Sequence, residues 1–270
     1  MKNLILSAAC GLDSKSIEFF LKSLRKYYKG EICFIINKGD LKIKKFLKIY
    51  NCHFVETKTH KFDVQVKRYE LYLKFILERN YNKILVCDSR DIYFQSDPFL
   101  FEYKGDINFF LEGKKIKECP FNTNWIKKTY GQKIYESLSD KIINCSGTTI
   151  GTYNSMKKYF ELIIQHSRKY KYKKKLKYLL TFRRDKGGRG ADQAYANYIV
   201  HNKLINNSYL YPNDYGPIAT VFYLNKISFN QENKLINLSN IPYSIVHQYD
   251  KRWDEFKDNV TKIKKNLDID

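Results

Sequence analysis

The sequence predicts an α/β protein with a mostly parallel central sheet and helices on both of its faces. Within the first 90 residues, short apolar runs alternate with segments whose apolar residues recur every three to four positions. This β-α-β-α-β-α-β order is typical of parallel strands joined by helical crossovers. No internal repeat and no linker rich in Pro, Gly or Ser divides the chain. We therefore expect one domain, with a first half at 1–100, a second half at 101–255 and a C-terminal tail at 256–270.

Four strands and three helices are predicted in the first 90 residues. The turn CGLDSKS offers Ser or Asp as a cap for the first helix, which ends at Gly30. The last strand of this region is apolar and leads directly into charged residues. The predicted strands are 3–9, 31–37, 52–58 and 82–88, and the predicted helices are 17–28, 41–51 and 64–79.

Beyond residue 100 the pattern is less regular. Strands are predicted at 106–114 and 143–153, and helices at 156–170 and 191–203. Short strand-like pieces follow residue 205, among them YSIVHQYD (243–250). Because ligands bind at the carboxyl ends of parallel strands, we expect the functional residues at that edge of the sheet.

Charge is the strongest compositional signal. The 270 residues include 49 Lys and Arg against 28 Asp and Glu, a formal net charge of +21. Such an excess of base predicts an anionic setting: nucleotide, lipid surface, polyanion or nucleic acid. The basic and aromatic stretch 168–184 suits a membrane surface, an anionic glycan or single-stranded nucleic acid, and a solvated, mobile loop is the plainer alternative.

The cysteines and the amino terminus bear on the compartment. Six cysteines show no CxxC pair and no clustering with histidine, so we expect reduced, buried thiols. The N-terminal apolar run is too short for a signal peptide, and no stretch reaches the roughly 18 apolar residues of a membrane-spanning helix. The sequence therefore predicts a cytoplasmic protein, which the basic stretch can hold against the inner face of a membrane.

The segment KILVCDSRDIYFQSDPF (83–99) carries the clearest chemical signal. Asp88 and Asp91 directly follow an apolar strand. Two carboxylates at a strand end can hold Mg²⁺ or Mn²⁺, and such a cation neutralises a diphosphate. The plain alternative is that Asp88 caps a turn while Asp91 pairs with Arg90 or a lysine.

This segment resembles the DxD region of the GT-A glycosyltransferases, in particular family 8 and related nucleotide-sugar transferases. VKRYELYLKFILERNYNKILVCDSRD (66–91) is similar to their donor-binding helix and metal strand, and IINCSGTTIG (142–151) to the strand that faces the sugar. GADQAYANYI (190–199) resembles their "DQ" helix start, and YSIVHQYD resembles the late histidine segment that closes the metal site. One departure is present: the chain reads Asp88-Ser89-Arg90-Asp91 instead of D-x-D, and Asp91 takes the place of the second, chelating aspartate.

The resemblance implies a GT-A domain that transfers a sugar from a nucleotide-diphosphate donor to a glycan or lipid-linked saccharide, with Mn²⁺ or Mg²⁺ as cofactor and with retention of configuration. Residues 1–100 then form the nucleotide-binding half and 101–255 the acceptor-side half. The implied metal ligands are Asp88, Asp91 and His247. The implied donor-binding residues are Ala8, Asp13, Arg68, Asp88, Arg90, Asn144, Gly147 and Arg252. Asp192, Gln193 and Glu112 are the candidate catalytic residues.

Each assignment has a structural alternative. His247 also fits a hydrogen-bonded core histidine, and Gly147 a simple bend. Arg68 and Arg252 fit ordinary surface charges as well as phosphate contacts. Asp192 fits an N-cap of its helix. Glu112 fits a general base in an inverting reaction or, more simply, a surface ion pair with Lys114 or Lys115.

Two other functions agree with part of the sequence. A nucleic-acid-binding protein would explain the charge, but no helix-turn-helix, zinc-finger or RNA-recognition pattern is present. A nucleotidyltransferase would also use strand-end aspartates with a metal, but its usual glycine-rich phosphate loop with Lys or Arg is missing from the N-terminal region. A catalytically inactive relative that only binds the donor is a third alternative.

Overall fold

The first half of the central sheet is parallel and follows the sequence pattern. The computed structural model describes residues 2–58, 64–181 and 190–269, and of 171–181 it describes the backbone alone. The strands are β1 (Lys2–Ala8), β2 (Glu31–Asn37), β3 (His53–Thr57) and β4 (Tyr81–Cys87), and the helices between them are α1 (Ser14–Tyr27), α2 (Leu41–Ile49) and α3 (Val64–Leu77). The four strands pair in parallel in the order β3-β2-β1-β4, so their carboxyl ends share one edge.

The second half of the sheet introduces antiparallel pairing. Its strands are β6 (Ile107–Lys115), β7 (Ile142–Thr152) and β8 (Ser208–Tyr211), and the complete order is β3-β2-β1-β4-β7-β6-β8. β7 runs antiparallel to both β4 and β6, whereas β6 and β8 are parallel. Cys87, the last residue of β4, pairs with Thr148. The earlier residues of β7 therefore extend past the end of β4.

A three-stranded sheet lies beyond that edge. It consists of β5 (Ile92–Phe94), β9 (Ile218–Thr220) and β10 (Ile245–His247), in the order β5-β10-β9. β5 and β10 are antiparallel, and His247 pairs with Ile92. This register brings the histidine next to the residue that follows Asp91.

Five further α-helices lie within the described residues: α4 (Pro120–Tyr130), α5 (Gln132–Leu138), α6 (Tyr153–Thr181), α7 (Ala191–His201) and α8 (Trp253–Lys265). The expectation of a loop at 168–184 is wrong for 168–181, whose backbone is helical; 182–184 lie outside the described residues. The predicted tail at 256–270 is also wrong for its first part. α8 buries Phe256 and Val260 completely, because these residues lie four apart on one helical face.

The core covers both faces of the central sheet. Alternation along β1 sends Leu4 and Leu6 to the face covered by α3 and α6, and Ile5 to the face covered by α1 and α2. All six cysteines are buried and free, which confirms the expectation that they are buried. Within the described part of the chain, no helix is both long and apolar enough to cross a membrane. The structure is therefore α/β, with a seven-stranded, mostly parallel sheet flanked by helices.

Candidate metal centre

Three side chains converge where the two sheets meet. Asp88, Asp91 and His247 each direct one potential ligand atom into a space where all three atoms lie within 4.8 Å of one another. His247 Nε2 lies 3.7 Å from Asp88 Oδ2 and 3.7 Å from Asp91 Oδ1. Two carboxylates and an imidazole are all groups that bind divalent cations in proteins. These three side chains can therefore hold one divalent cation.

The loop between β4 and β5 explains how the D-x-x-D spacing still serves one centre. Ser89 turns inward and donates a hydrogen bond from its hydroxyl to the carbonyl of Ala8 (2.8 Å). Arg90 turns outward, with 53% of its side chain exposed. The backbone of Gln248 donates to the carbonyl of Asp91 (2.7 Å), which ties this loop to the end of β10. The extra residue is thus accommodated by the loop, and both aspartates face the same point.

Gly147 keeps the centre open. A Cβ at this position would lie 2.4 Å from His247 Cε1 and 2.9 Å from Asp88 Oδ2. The Gly147 carbonyl also accepts a hydrogen bond from the Asp88 backbone (2.8 Å). Gly147 is therefore required for space, and the alternative of a simple bend is wrong.

Arg68 lies beneath the centre as a buried link between two carboxylates. Its Nη1 lies 2.7 Å from Asp88 Oδ1, and its Nη2 lies 3.4 Å from Asp192 Oδ2. Only 6% of the Arg68 side chain is exposed. The alternative of an ordinary surface charge is therefore wrong, because this guanidinium holds the two carboxylates in place.

The charges beneath the centre shift the acidity of its carboxyl groups in opposite directions. Burial opposes ionisation of Asp88, but Arg68 and His247 outweigh it and hold the pKa of Asp88 below its usual range. Burial dominates at Asp192, whose pKa is raised despite Arg68. Burial also disfavours a charged His247, but Cys145 and Asp88 together raise its pKa above the usual value. Asp88 is thus kept ionised, as a metal ligand must be.

The start of α7 differs from the sequence expectation. Its N-cap is Gly190, in the left-handed region at φ 77°, and Asp192 lies inside the first turn. A Cβ on Gly190 would collide with the Trp125 ring at 2.1 Å, so glycine is needed there. The alternative of Asp192 as an N-cap is wrong, and its carboxylate is directed to Arg68 instead.

A buried polar network joins α7 to β7 and β6. Gln193 accepts a hydrogen bond from the backbone of Ser146 (2.8 Å) and donates to the Asn144 carbonyl (2.9 Å) and to Glu112 Oε1 (3.3 Å). Burial raises the pKa of Glu112 to about 7. The expected surface ion pair of Glu112 is wrong, because Glu112 is buried and Lys115 pairs with Asp140 instead. The Asn144 side chain is fully buried at the same network.

Two arginines, Arg90 and Arg252, lie on the solvent-exposed side of the centre. Arg90 contacts Asp91 (3.4 Å) and Asp250 (3.1 Å) through the same nitrogen, Nη2. Arg252 is held by Glu255, at 2.6 and 2.7 Å, and by the Leu224 carbonyl at 2.7 Å. Arg252 is therefore already fully paired, whereas Arg90 lies at the rim of the centre.

A depression of about 410 Å³ adjoins the centre on the Arg90 side. Asp13, at its edge, caps α1 by accepting from the backbone of Ser16 (2.9 Å). The depression is lined by Asp13, Lys15, Ser16, Glu18, Phe19, Arg90, Tyr249, Lys264 and Ile269. Its walls combine two aromatic rings, three basic side chains and two carboxylates.

Two residues of the site were not singled out from the sequence. Asp250 lies in the quoted segment YSIVHQYD, but only the three-dimensional structure shows its contact with Arg90. Cys145 lies in the quoted segment IINCSGTTIG, and its sulfur approaches His247 Nδ1 at 3.5 Å. A partner 102 residues away in sequence leaves no local signal.

The fold and this geometry define a class: an α/β protein with a candidate divalent-metal centre at the carboxyl edge of its central sheet. A scan against protein-family models finds no match for the chain. A search of curated proteins finds no match either. The chain's own residues are therefore the basis for its proposed function.

Proposed function

We propose that the chain is a GT-A glycosyltransferase that moves a sugar from a nucleotide-diphosphate donor to a saccharide acceptor, assisted by Mn²⁺ or Mg²⁺. The observation that carries this proposal is the convergence of Asp88, Asp91 and His247 at the carboxyl end of β4. The arrangement of the sheets, with antiparallel β7 beside β4, is compatible with the GT-A fold. The ordered motifs of the sequence agree with the positions of these side chains.

The leaving group explains why such a centre is needed. Transfer of the sugar leaves a nucleoside diphosphate, and the charge that develops on it must be stabilised. Asp88, Asp91 and His247 would hold a divalent cation here, which would supply Lewis-acid stabilisation of those phosphates. Arg90, exposed at the rim, adds a cation on the same side. The depression between Asp13 and Tyr249 then receives the nucleoside.

The sugar side of the site is formed by buried groups that are already in place. Arg68 fixes Asp192, and Glu112 and the Asn144 carbonyl fix Gln193. Preorganised groups of this kind need little rearrangement during the reaction. We assign Asp192 and Gln193 to the donor sugar. Glu112, with a pKa of about 7, is suited to exchange a proton near neutral pH.

The acceptor side is proposed more broadly. A growing glycan or a lipid-linked saccharide on the inner face of a membrane agrees with the net charge of +21. The basic stretch 168–184 is the proposed contact with anionic lipid or glycan. Retention of configuration follows from the resemblance to family 8, and the anomer of the product tests it.

The proposal is tested by turnover with purified full-length protein, Mn²⁺ and a panel of UDP-, GDP- and dTDP-sugars, with a CMP-sugar as the monophosphate comparison. We expect release of the nucleoside diphosphate from one donor. Asp91→Asn should reduce this release at least 100-fold, because it weakens a charged metal ligand. Asp140→Asn is the matched control, since Asp140 pairs with the surface lysines Lys115 and Lys117 and lies outside the metal centre.

Two results would contradict the proposal. One is the absence of nucleotide release with every donor. The other is equal release by Asp91→Asn and the unaltered protein. Binding to DNA or RNA with a steep salt dependence, unaffected by Asp91→Asn, would favour the nucleic-acid alternative instead.

A further inference from the structure

We infer that Cys145 is a positioning residue that fixes the ring orientation and the tautomer of the metal ligand His247. This inference rests on the proposed metal centre. Cys145 Sγ lies 3.5 Å from His247 Nδ1, within hydrogen-bond range for sulfur. Both residues are only 2% exposed, so water has almost no access to this contact. The contact therefore decides how the imidazole is held.

The two nitrogens of His247 have different surroundings. Nε2 faces the carboxylates of Asp88 and Asp91, whereas Nδ1 faces Cys145. A neutral imidazole has one N–H and one lone pair. When the Nε2 lone pair binds a cation, the proton is on Nδ1 and needs an acceptor. Among the described residues, Cys145 is the group that hydrogen-bonds Nδ1, so Nδ1–H donates a hydrogen bond to its sulfur.

The thiol also has a partner for its own proton. The Glu112 carboxyl neighbours this thiol, which acts on the pKa of Glu112 as a hydrogen-bond partner. A neutral thiol has one S–H donor and a sulfur that accepts. The thiol can thus accept from His247 and donate to Glu112 at the same time. Glu112 in turn accepts from Gln193 of α7 (3.3 Å). One sulfur atom therefore connects the metal ligand to the network that fixes α7.

The register of β7 explains why the thiol reaches this position. The Gly147 carbonyl accepts from the Asp88 backbone, so β7 continues past the end of β4. Cys145 lies two residues earlier and is thereby carried to the far side of the imidazole. Metal-bound histidines usually donate their other N–H to a carboxylate or a carbonyl, and such partners raise metal affinity by orienting the ligand. Here a thiol takes that role.

If Cys145 only fills space, its variants should affect Mn²⁺ binding differently than if it positions His247. Cys145→Ala removes the hydrogen-bonding atom and leaves a small cavity. Cys145→Ser keeps a group that both accepts and donates. The matched control is Cys33→Ala, which removes the same sulfur from a fully buried position on β2. Cys33 belongs to the core on one face of the sheet and has no part in the metal centre.

The experiment is a Mn²⁺ titration of each full-length variant after EDTA treatment, with free Mn²⁺ measured by electron paramagnetic resonance. We expect Cys145→Ala to weaken Mn²⁺ binding about 10- to 100-fold, the usual effect of losing a partner of a ligating histidine. Cys145→Ser should restore most of the affinity. Cys33→Ala should bind Mn²⁺ as the unaltered protein does. Thermal unfolding of the metal-free variants measures the cost of the cavity separately.

The outcomes separate the two claims. Equal Mn²⁺ affinity in Cys145→Ala and the unaltered protein overturns the role of Cys145 and leaves the metal centre standing. A loss in Cys145→Ser or Cys33→Ala as large as in Cys145→Ala also overturns it, because loss of packing then explains the effect. No saturable binding to the unaltered protein overturns the metal centre itself, and the inference with it.

Discussion

Two arginines flank the candidate metal centre, and they differ mainly in their surroundings. Arg68 is 6% exposed and bridges Asp88 and Asp192, whereas Arg90 is 53% exposed and bridges Asp91 and Asp250. Each therefore contacts one proposed ligand and one further carboxylate. The buried bridge fixes its carboxylates before any ligand arrives. The exposed bridge is screened by water and can exchange its partners for a phosphate.

Similar ion pairs between arginine and aspartate contribute differently to stability when they are buried and when they are exposed. Breaking a buried pair leaves a charge without compensation, which is strongly destabilising. Exposed pairs contribute little, because water and salt screen them. We therefore expect the buried pairs of Arg68 to stabilise the centre. We expect the exposed pairs of Arg90 to exchange with a bound phosphate.

The largest expected effect comes from Arg68→Ala. It should lower the free energy of unfolding by about 3–5 kcal/mol, since it leaves Asp192 buried without its cation. Urea denaturation at neutral pH measures this. Arg68→Lys should recover only part of the loss, because a lysine cannot reach two carboxylates with the same fork. A loss below about 1 kcal/mol in the free energy of unfolding would mean that the buried Arg68 pairs contribute no more than exposed pairs do.

The next effect is a pH dependence from Glu112, on the buried side. Between pH 4.5 and about 7, the folded protein keeps a proton on Glu112 that the unfolded chain has released. Stability should therefore fall as pH rises through this range, by roughly 3 kcal/mol in total. Glu112→Gln should abolish this contribution. Unfolding measured from pH 4 to 8 without metal tests it, and parallel curves for the two proteins would contradict it.

Gly147→Ala tests whether the metal centre needs the space that this glycine leaves free. Its Cβ would force His247 and Asp88 apart, so we expect a loss of about 1–3 kcal/mol in stability. Loss of measurable Mn²⁺ binding should accompany it. Gly39→Ala is the control: it meets no atom within 4 Å but has φ +81°, so it should cost about 1–2 kcal/mol by backbone strain and leave Mn²⁺ binding intact. Equal Mn²⁺ affinity in both variants would refute the steric argument.

The smallest effect on stability is expected for Arg90→Ala. The free energy of unfolding should change by less than about 1 kcal/mol, because the Arg90 pairs are exposed. Binding of a nucleoside diphosphate should nevertheless weaken, and calorimetric titration in Mn²⁺ measures it. Unchanged nucleotide affinity would remove Arg90 from the donor site.

The sequence predicted the parallel half of the fold well, because buried parallel strands are short apolar runs bounded by turns. β2 was placed at its observed limits, 31–37. α4 and α5 were not predicted, and the region of α8 was taken for a tail. Lysines and acidic residues both lie along the exposed part of α8. Its fully buried residues are Phe256 and Val260, and Ile263 packs beside them.

The candidate site was predictable only in part. The three metal-ligand candidates lie within recognisable segments of the sequence, and the structure brings them together: Asp88, Asp91 and His247. The pairing of Arg68 with Asp192 spans 124 residues, and no local pattern encodes such a contact. The same holds for Cys145 and His247. Contacts of this kind depend on strand order, which local periodicity does not determine.

The most direct test of the metal centre is the anomalous diffraction of Mn²⁺ in crystals soaked with Mn²⁺ and a nucleoside diphosphate. We predict one strong peak among Asp88, Asp91 and His247, with the diphosphate bound to the same ion. A peak elsewhere, or a diphosphate bound away from these three side chains, would contradict the account.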